Sequence, residues 1–384
     1  MGREVRATKG RPKEARTDAG AVLQPYSTDE GGEPQGSRKG RPRNPLEGRG
    51  KQAYESVERK HNEAQNSKDM YTDTNRIAEL AKEDPKRQFY SIAHLITGEK
   101  LHEAFRNLRK DASAGIDGVT YKQYETNVEE NIRQLHQRLK EGKYRAHPLR
   151  RVYIPKEDGK QQRPISIPAL KDKIVQKAVV DLLNAIYEQD FLDCSYGFRP
   201  GRGQHQALDE VGRVLCTRPM GWVLEIDIRS YFDSIVRSAL VEMIEKRVID
   251  GSVLRLVGKW IRVGAIEDGR LLVSETGTGQ GQPISPLLAN IYLHYILDEW
   301  FENEVKPRLK GEAYEIRFAD DAILCFQHKE DAEKVLAVLP KRFEKYGLTL
   351  HSEKSRLIEF GRYAAKNARK QGKKPATLNL LAPV

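Results

Sequence analysis

Tyr314-Glu315-Ile316-Arg317-Phe318-Ala319-Asp320-Asp321-Ala322-Ile323-Leu324-Cys325-Phe326 sets two short apolar runs on either side of an adjacent acid pair. Strand-like residues precede the pair from Tyr314 to Phe318 and follow it from Ala322 to Phe326. The plain reading is a hairpin whose tip is acidic because tips are solvated. Two-residue hairpin turns, however, favour Asn-Gly or Asp-Gly, since they need positive φ. Asp-Asp has no such advantage and adds like-charge repulsion. The other reading is a carboxylate pair that holds a divalent cation together with a third acid. The rest of the chain has to supply that acid.

Trp222-Val223-Leu224-Glu225-Ile226-Asp227-Ile228 reads as a strand ending in an acid. If Asp227 is the third carboxylate, this strand lies beside the acidic hairpin. A carboxylate at a strand end is held rigidly, and the backbone N–H groups that follow it can donate to phosphate oxygens. Asp227, Asp320 and Asp321 could then clamp two Mg²⁺ ions about 3.5–4 Å apart for in-line attack of a hydroxyl on a phosphoryl group. Successive strand side chains point to opposite faces, so Asp320 and Asp321 are not equivalent. Asp320 is expected to share a ligand role with Asp227, and Asp321 to be a weaker or outer ligand.

Further out lies Thr276-Gly277-Thr278-Gly279-Gln280-Gly281-Gln282-Pro283, a glycine-rich loop opening a helix near Pro286. Such a loop could let backbone approach a base pair beside Gln280, although many are only turns. Two further hairpins are expected, over 151–168 with Asp158-Gly159 at the turn and over 263–275 with Asp268-Gly269. Lys156, Lys160 and Arg163 lie at the first tip and its flanks, and Lys156 and Arg163 are either solvated charges or triphosphate ligands. Apolar spacing predicts helices at 128–139, 171–189, 204–216, 236–262 and 330–346, with helical patterns at 77–81, 92–96 and 101–108. A last short strand is expected at 356–360. Helices alternating with antiparallel hairpins argue for an α+β fold.

The 384 residues leave room for two or three modules. Charged residues make up 32% and the formal net charge is +11, which favours a polyanionic partner, nucleic acid before membrane. Cys194, Cys216 and Cys325 form no C-x-x-C pair, so neither a zinc site nor a disulfide framework is indicated, and a reducing cytoplasm fits. No run approaches the ~18 apolar residues that span a bilayer. Residues 1–75 are Gly-, Pro-, Arg- and Lys-rich with almost no apolar periodicity, and are expected to be a disordered basic leader.

Seven pieces in order now resemble the reverse transcriptases encoded by bacterial group II introns. They are Ala114–Val119, Ile154-Pro155-Lys156 through Arg163-Pro164-Ile165, Tyr196–Pro200, Asp227–Asp233, Gln280-Gly281 with Ser285–Leu293, Phe318–Asp321, and Gly347–Leu350 with Glu353-Lys354-Ser355. The resemblance runs from about Leu101 to Gly361. It implies a right-hand polymerase whose antiparallel palm sheet packs on helices. Fingers would span 76–171 and 236–275, palm 172–235 and 276–361, within a catalytic domain of about 100–361. The implied reaction copies RNA into DNA in intron mobility, with Mg²⁺, dNTPs, an intron RNA template and a DNA or RNA primer. By the same resemblance Asp227, Asp320 and Asp321 look like the metal-binding acids, with Ile228 offering a backbone carbonyl. Phe232 looks like the gate against a ribose 2′-OH, although core packing would also explain it. Lys156 and Arg163 look like fingertip triphosphate contacts, Gln280 like a neighbour of the templating pair, and Lys354 like the lysine near the incoming nucleotide.

There are departures. Phe318 stands where the family usually has Tyr, and Gly279 where it usually has Pro. The sequence stops about where a palm hands over to a thumb, so 362–384 is expected to be an irregular tail, with the thumb absent and polymerisation weak. Two other functions compete. A non-catalytic RNA-binding splicing factor, or an inactive remnant, would not need the intact acids. An RNA-dependent RNA polymerase would not need Phe232.

Overall fold

Apolar runs that continue on both sides of an acid pair belong to strands covered on both faces. The computed structural model describes residues 74–155, 162–361, 364–370, 372 and 374. Its strands are, in chain order, β1 (Leu149–Pro155), β2 (Gln162–Ile167), β3 (Trp222–Ile226), β4 (Ala265–Glu267), β5 (Arg270–Leu272), β6 (Ala313–Phe318), β7 (Asp321–Phe326) and β8 (Arg356–Glu359). Among the described residues they form two four-stranded sheets, ordered β2-β1-β4-β5 and β6-β7-β3-β8. The fold is α+β.

The second sheet is antiparallel throughout. On one face, Leu224, Ile226, Leu324 and Phe326 join the main core with Ala332, Val335, Leu339 and Phe343 of the Lys329–Glu344 helix. On the other, Val223, Ile316, Ile323 and Cys325 pack on Ala207, Val211 and Val214 of the Gln204–Thr217 helix. As expected, β3 lies directly beside the acidic hairpin, with Ile226 opposite Ala322.

The first sheet joins the 149–167 and 265–272 hairpins through a short parallel contact between β1 and β4. Asp268 and Gly269 both take positive φ (48° and 76°), which a tight hairpin turn requires. The expected Asp158-Gly159 turn lies outside the described residues, as does the expected leader over 1–75 apart from Thr74 and Asn75, which begin a helix. The Leu170–Tyr187 helix runs through the main core, packed on the Gly98–Arg106 and Ser285–Leu293 helices, with Ile174, Val175, Ala178, Val179, Leu183 and Ile186 fully buried. Near its start Asp172 accepts from Tyr144 Oη (2.7 Å) and the His147 N–H (2.9 Å).

Three expectations change. The helix expected over 236–262 is two, Arg237–Glu245 and Gly251–Arg262, because Asp250 caps the second through the Ser252 and Val253 N–H groups (2.7 and 3.2 Å). The other Asp250 oxygen takes the Ile92 and Ala93 N–H groups (2.7 and 2.8 Å), so 92–96 forms a single 3₁₀ turn, Ala93–Leu95. The tail expected to be irregular contains a helix, Ala364–Lys370, whose Ala, Lys and Arg residues are good helix formers.

The Ser285–Leu293 helix runs on into π-helical turns at His294–Asp298 and Phe301–Val305. Wide turns of this kind often sit at functional sites. Here they bring Asp298 to the back of β6, and Arg342 donates to the Tyr295 and Ile296 carbonyls (3.1 and 3.0 Å). Among the described residues no helix is long and apolar enough to cross a membrane.

Candidate active site

β6 and β7 pair Phe318 with Asp321, so the two-residue turn is Ala319-Asp320, one position earlier than a turn centred on the acid pair. The positive φ that hairpin turns need falls on Ala319 (58°), not on an aspartate. Asp320 therefore rides on the turn, and Asp321 is the first residue of β7. One step beyond Ile226↔Ala322, the β3–β7 register sets Asp227 opposite Asp321. Three carboxylates thus gather at one end of the sheet.

Their electrostatics record the crowding. Burial raises Asp321 to about 6, with the Asp320 and Asp227 charges adding to it and Lys354 opposing it. Burial likewise raises Asp320 above the usual carboxylate range; a backbone N–H pulls it down, Asp227 pushes it up, and Arg163 and Arg317 pull it down. Lys354 Nζ donates to Asp227 Oδ2 at 3.1 Å. The Asp227 carbonyl accepts from the His351 N–H (2.9 Å) and Ser355 Oγ (3.2 Å). Arg229 N–H donates to Thr349 O at 2.9 Å. The bridge between Ile228 and Leu350 is thus bonded through the neighbours of Ile228, which turns the Ile228 carbonyl away from that bridge.

The glycine-rich loop closes the other side. Ser166 N–H of β2 donates to Gln280 O (2.7 Å), and Thr278 N–H donates to Phe232 O (2.9 Å). Gly281 and Gly277 permit the approach: a Cβ on Gly281 would stand 2.7 Å from Ile165 Cγ2, and one on Gly277 2.9 Å from Phe232 O. Phe232 is half-buried, packed on the main core and tilted against Tyr231 at 5.6 Å. Arg163 is exposed on β2 opposite Ile154. Arg237 fastens the start of the loop by donating to the carbonyls of Ser274 (2.6 Å), Thr276 (2.9 Å) and Gly277 (3.1 Å).

Residues 154–375 match the family model described as reverse transcriptase (RNA-dependent DNA polymerase). The chain belongs to the reverse transcriptase family. It is 32% identical over 300 residues to the group II intron-encoded protein LtrA of Lactococcus lactis subsp. cremoris, a match covering 75% of this chain and 50% of the relative. Protein YkfC of Escherichia coli K12 is 36% identical over 281 residues, 65% of this chain and 74% of the relative. An uncharacterized 91 kDa protein in the cob intron of Schizosaccharomyces pombe is 39% identical over 174 residues, covering 45% of this chain and 21% of the relative. The chain spans about half the length of the Lactococcus relative.

This reverse transcriptase chain brings together Asp227, Asp320, Asp321, Ile228 and Lys354 at the sheet end, with Phe232 on the short Tyr231–Ser234 helix and Gln280 on the glycine-rich loop bonded to it. Arg163 is near enough for its charge to reach Asp320. Lys156 lies outside the described residues. The gathered donors are carboxylate and carbonyl oxygens, a set that suits a hard divalent cation such as Mg²⁺. Such a cation would also relieve the repulsion that adds to the effect of burial on Asp320 and Asp321.

Sequence reasoning missed what holds these groups. Arg317 is 0% exposed and paired with Asp298 at 2.6 and 2.7 Å. Cys194, Asp298 and Glu315 gather behind the turn with ligand atoms within 4.8 Å of one another, but the cation there is already the Arg317 guanidinium. Burial, with the Asp298 charge adding to it, holds the Glu315 carboxyl well above its ordinary range. The alternation of Glu315 and Arg317 with apolar residues along β6 sets both on one face of the strand but does not mark that face as buried.

Proposed function

We propose that this chain is an RNA-directed DNA polymerase of the group II intron type, extending a DNA or RNA primer on an RNA template with dNTPs. The observation that carries the reading is the convergence of Asp227, Asp320 and Asp321 at one end of the antiparallel β6-β7-β3-β8 sheet, with a glycine-rich loop bonded both to Phe232 and to β2 of the other sheet. The second sheet would be the palm and the first sheet the fingers, which agrees with the two chain segments that build the first one. Asp227, Asp320 and Asp321, with the Ile228 carbonyl, would hold two Mg²⁺ ions. Bound there, Mg²⁺ supplies a more acidic primer hydroxyl and stabilises the charge on the departing pyrophosphate.

The chain's own residues do the rest. The Ala319-Asp320 turn and the end of β3 hold the acids on sheet ends packed from both faces, so little rearrangement is needed. Arg163, together with Lys156, would bind triphosphate oxygens, the arginine in a bidentate way. Lys354, now on Asp227, would turn to the incoming nucleotide once that carboxylate is engaged. Phe232 stands five residues after Asp227 with its backbone tied to Thr278, which supports a gate that meets a 2′-OH. A second reading, an RNA-binding splicing factor, finds its support in the intron-protein relatives and in the net charge of +11.

Primer extension on an RNA template with dNTPs, and separately with NTPs, tests the proposal. The expected result is Mg²⁺-dependent extension with dNTPs, with Phe232→Ala raising NTP use. Extension with NTPs alone by the unaltered protein would overturn it.

A further inference from the structure

Ala319 is one of four non-glycine residues with positive φ among the described residues, and it stands immediately before Asp320. A residue with a side chain keeps that conformation only where its surroundings impose it. Arg317 Nη1 donates to the Ala319 carbonyl at 2.8 Å. Gly197 lies flat against the turn, where a Cβ would stand 2.2 Å from Ala319 N. Asn290 Nδ2 holds Gly197 in place through its carbonyl at 2.7 Å. The two supports are one structure, because Arg317 Nη1 also donates to Asn290 Oδ1 at 3.1 Å.

The remaining donors of Arg317 go inward. Nε and Nη2 bind the two oxygens of Asp298 (2.7 and 2.6 Å), and Nη2 also donates to Ser195 Oγ at 2.8 Å. A guanidinium has five N–H donors, and all five are used. The group is fully buried, so it cannot meet a nucleotide. A lysine at this position would bring the charge but not the planar fork that reaches Asp298, Ser195, Asn290 and the turn at once.

We infer that Arg317, braced by Asn290 and Asp298, is the positioning residue of the metal site, clamping the Ala319 carbonyl so that Asp320 and Asp321 face Asp227 before any cation arrives. The inference rests on the reading of the three acids as metal ligands. Carboxylates brought this close repel one another, and a turn without a clamp would relax by swinging Asp320 away. Groups behind the ligands that fix their orientation commonly set metal affinity.

The test is Mn²⁺ binding to the full chain, without nucleic acid or nucleotide, followed by electron paramagnetic resonance, with circular dichroism as the check on folding. The unaltered protein should bind Mn²⁺ and Asp320→Asn should not; if neither binds, or both bind alike, the metal reading and the clamp fall together. Arg317→Lys should weaken Mn²⁺ binding by about tenfold or more while the acids are all present. Ala319→Gly added to Arg317→Lys should recover part of that loss, because glycine accepts positive φ without a clamp. A merely structural ion pair predicts no such recovery.

Asn290→Asp serves if Arg317→Lys does not fold. It keeps an acceptor for Arg317 but sets a charged carboxylate oxygen against the Gly197 carbonyl in place of the donor, and it should also weaken Mn²⁺ binding. Folded Arg317→Lys or Asn290→Asp protein that binds Mn²⁺ as the unaltered protein does would overturn the clamp and leave the metal reading standing. A double variant no better than Arg317→Lys would overturn it equally.

Discussion

On the β2-β1-β4-β5 sheet, Tyr153, Ile154, Leu271 and Leu272 keep between 45% and 57% of their surface exposed, whereas on the β6-β7-β3-β8 sheet Leu324, Cys325 and Phe326 keep none. The buried sheet carries the acids and the exposed one carries Arg163. A cluster of like charges needs a support that does not yield, and packing on both faces supplies it. A cation that meets a bulky, mobile polyanion needs access instead. The two sheets therefore differ in exposure as they differ in the charges they carry.

The contrast breaks most visibly in the buried sheet. Leu324→Ala removes side-chain volume from the main core and should cost about 2–5 kcal/mol in denaturant unfolding. A smaller effect comes from His294, buried behind the same sheet, where burial lowers its pKa from 6.5 to about 4. Below pH 6.5 the unfolded chain takes up a proton that the folded chain refuses. The His294 contribution is therefore intact above pH 6.5 and lost as the pH falls towards about 4. His294→Gln should flatten this part of the melting-temperature profile between pH 6.5 and 4, and a profile equally steep in the variant would contradict it.

In the exposed sheet the expected changes lie in substrate binding rather than stability. Arg163→Ala should raise the KM for dNTP by about tenfold, the scale of a charge-assisted hydrogen bond, and leave the melting temperature unchanged. A loss of stability with an unchanged KM would assign Arg163 to packing instead. Leu271→Ser, on the edge strand, should shift unfolding by no more than about 0.5 kcal/mol. A cost comparable to that of Leu324→Ala would show that the edge is covered in solution.

Much of the buried sheet was legible in the sequence, because a strand covered on both faces writes its apolar run without interruption. Ala322 to Phe326 is such a run and Trp222 to Ile226 is one broken only by Glu225, and it was taking Asp227 as the third acid that set the two strands side by side. The position of the turn was less legible. Asn-Gly rules direct attention to the acids, but Ala319 carries the positive φ, and only tertiary contacts make alanine acceptable there. For the same reason Arg317 could not be read as a buried residue: its partners Ser195, Asn290 and Asp298 lie at least 19 residues away along the chain. The break at Asp250 was hidden too, since the cap it forms is local but its second pair of hydrogen bonds reaches back to Ile92 and Ala93.

The most direct measurement is single-nucleotide incorporation of a dNTP onto a primer annealed to RNA, with Mg²⁺, comparing the unaltered chain with Asp320→Asn. The substitution keeps the shape of the turn and removes one charge from the three. The account predicts incorporation by the unaltered chain and a loss of at least about 10²–10³-fold in the variant, at an unchanged melting temperature or a higher one. Incorporation that survives Asp320→Asn undiminished would contradict it.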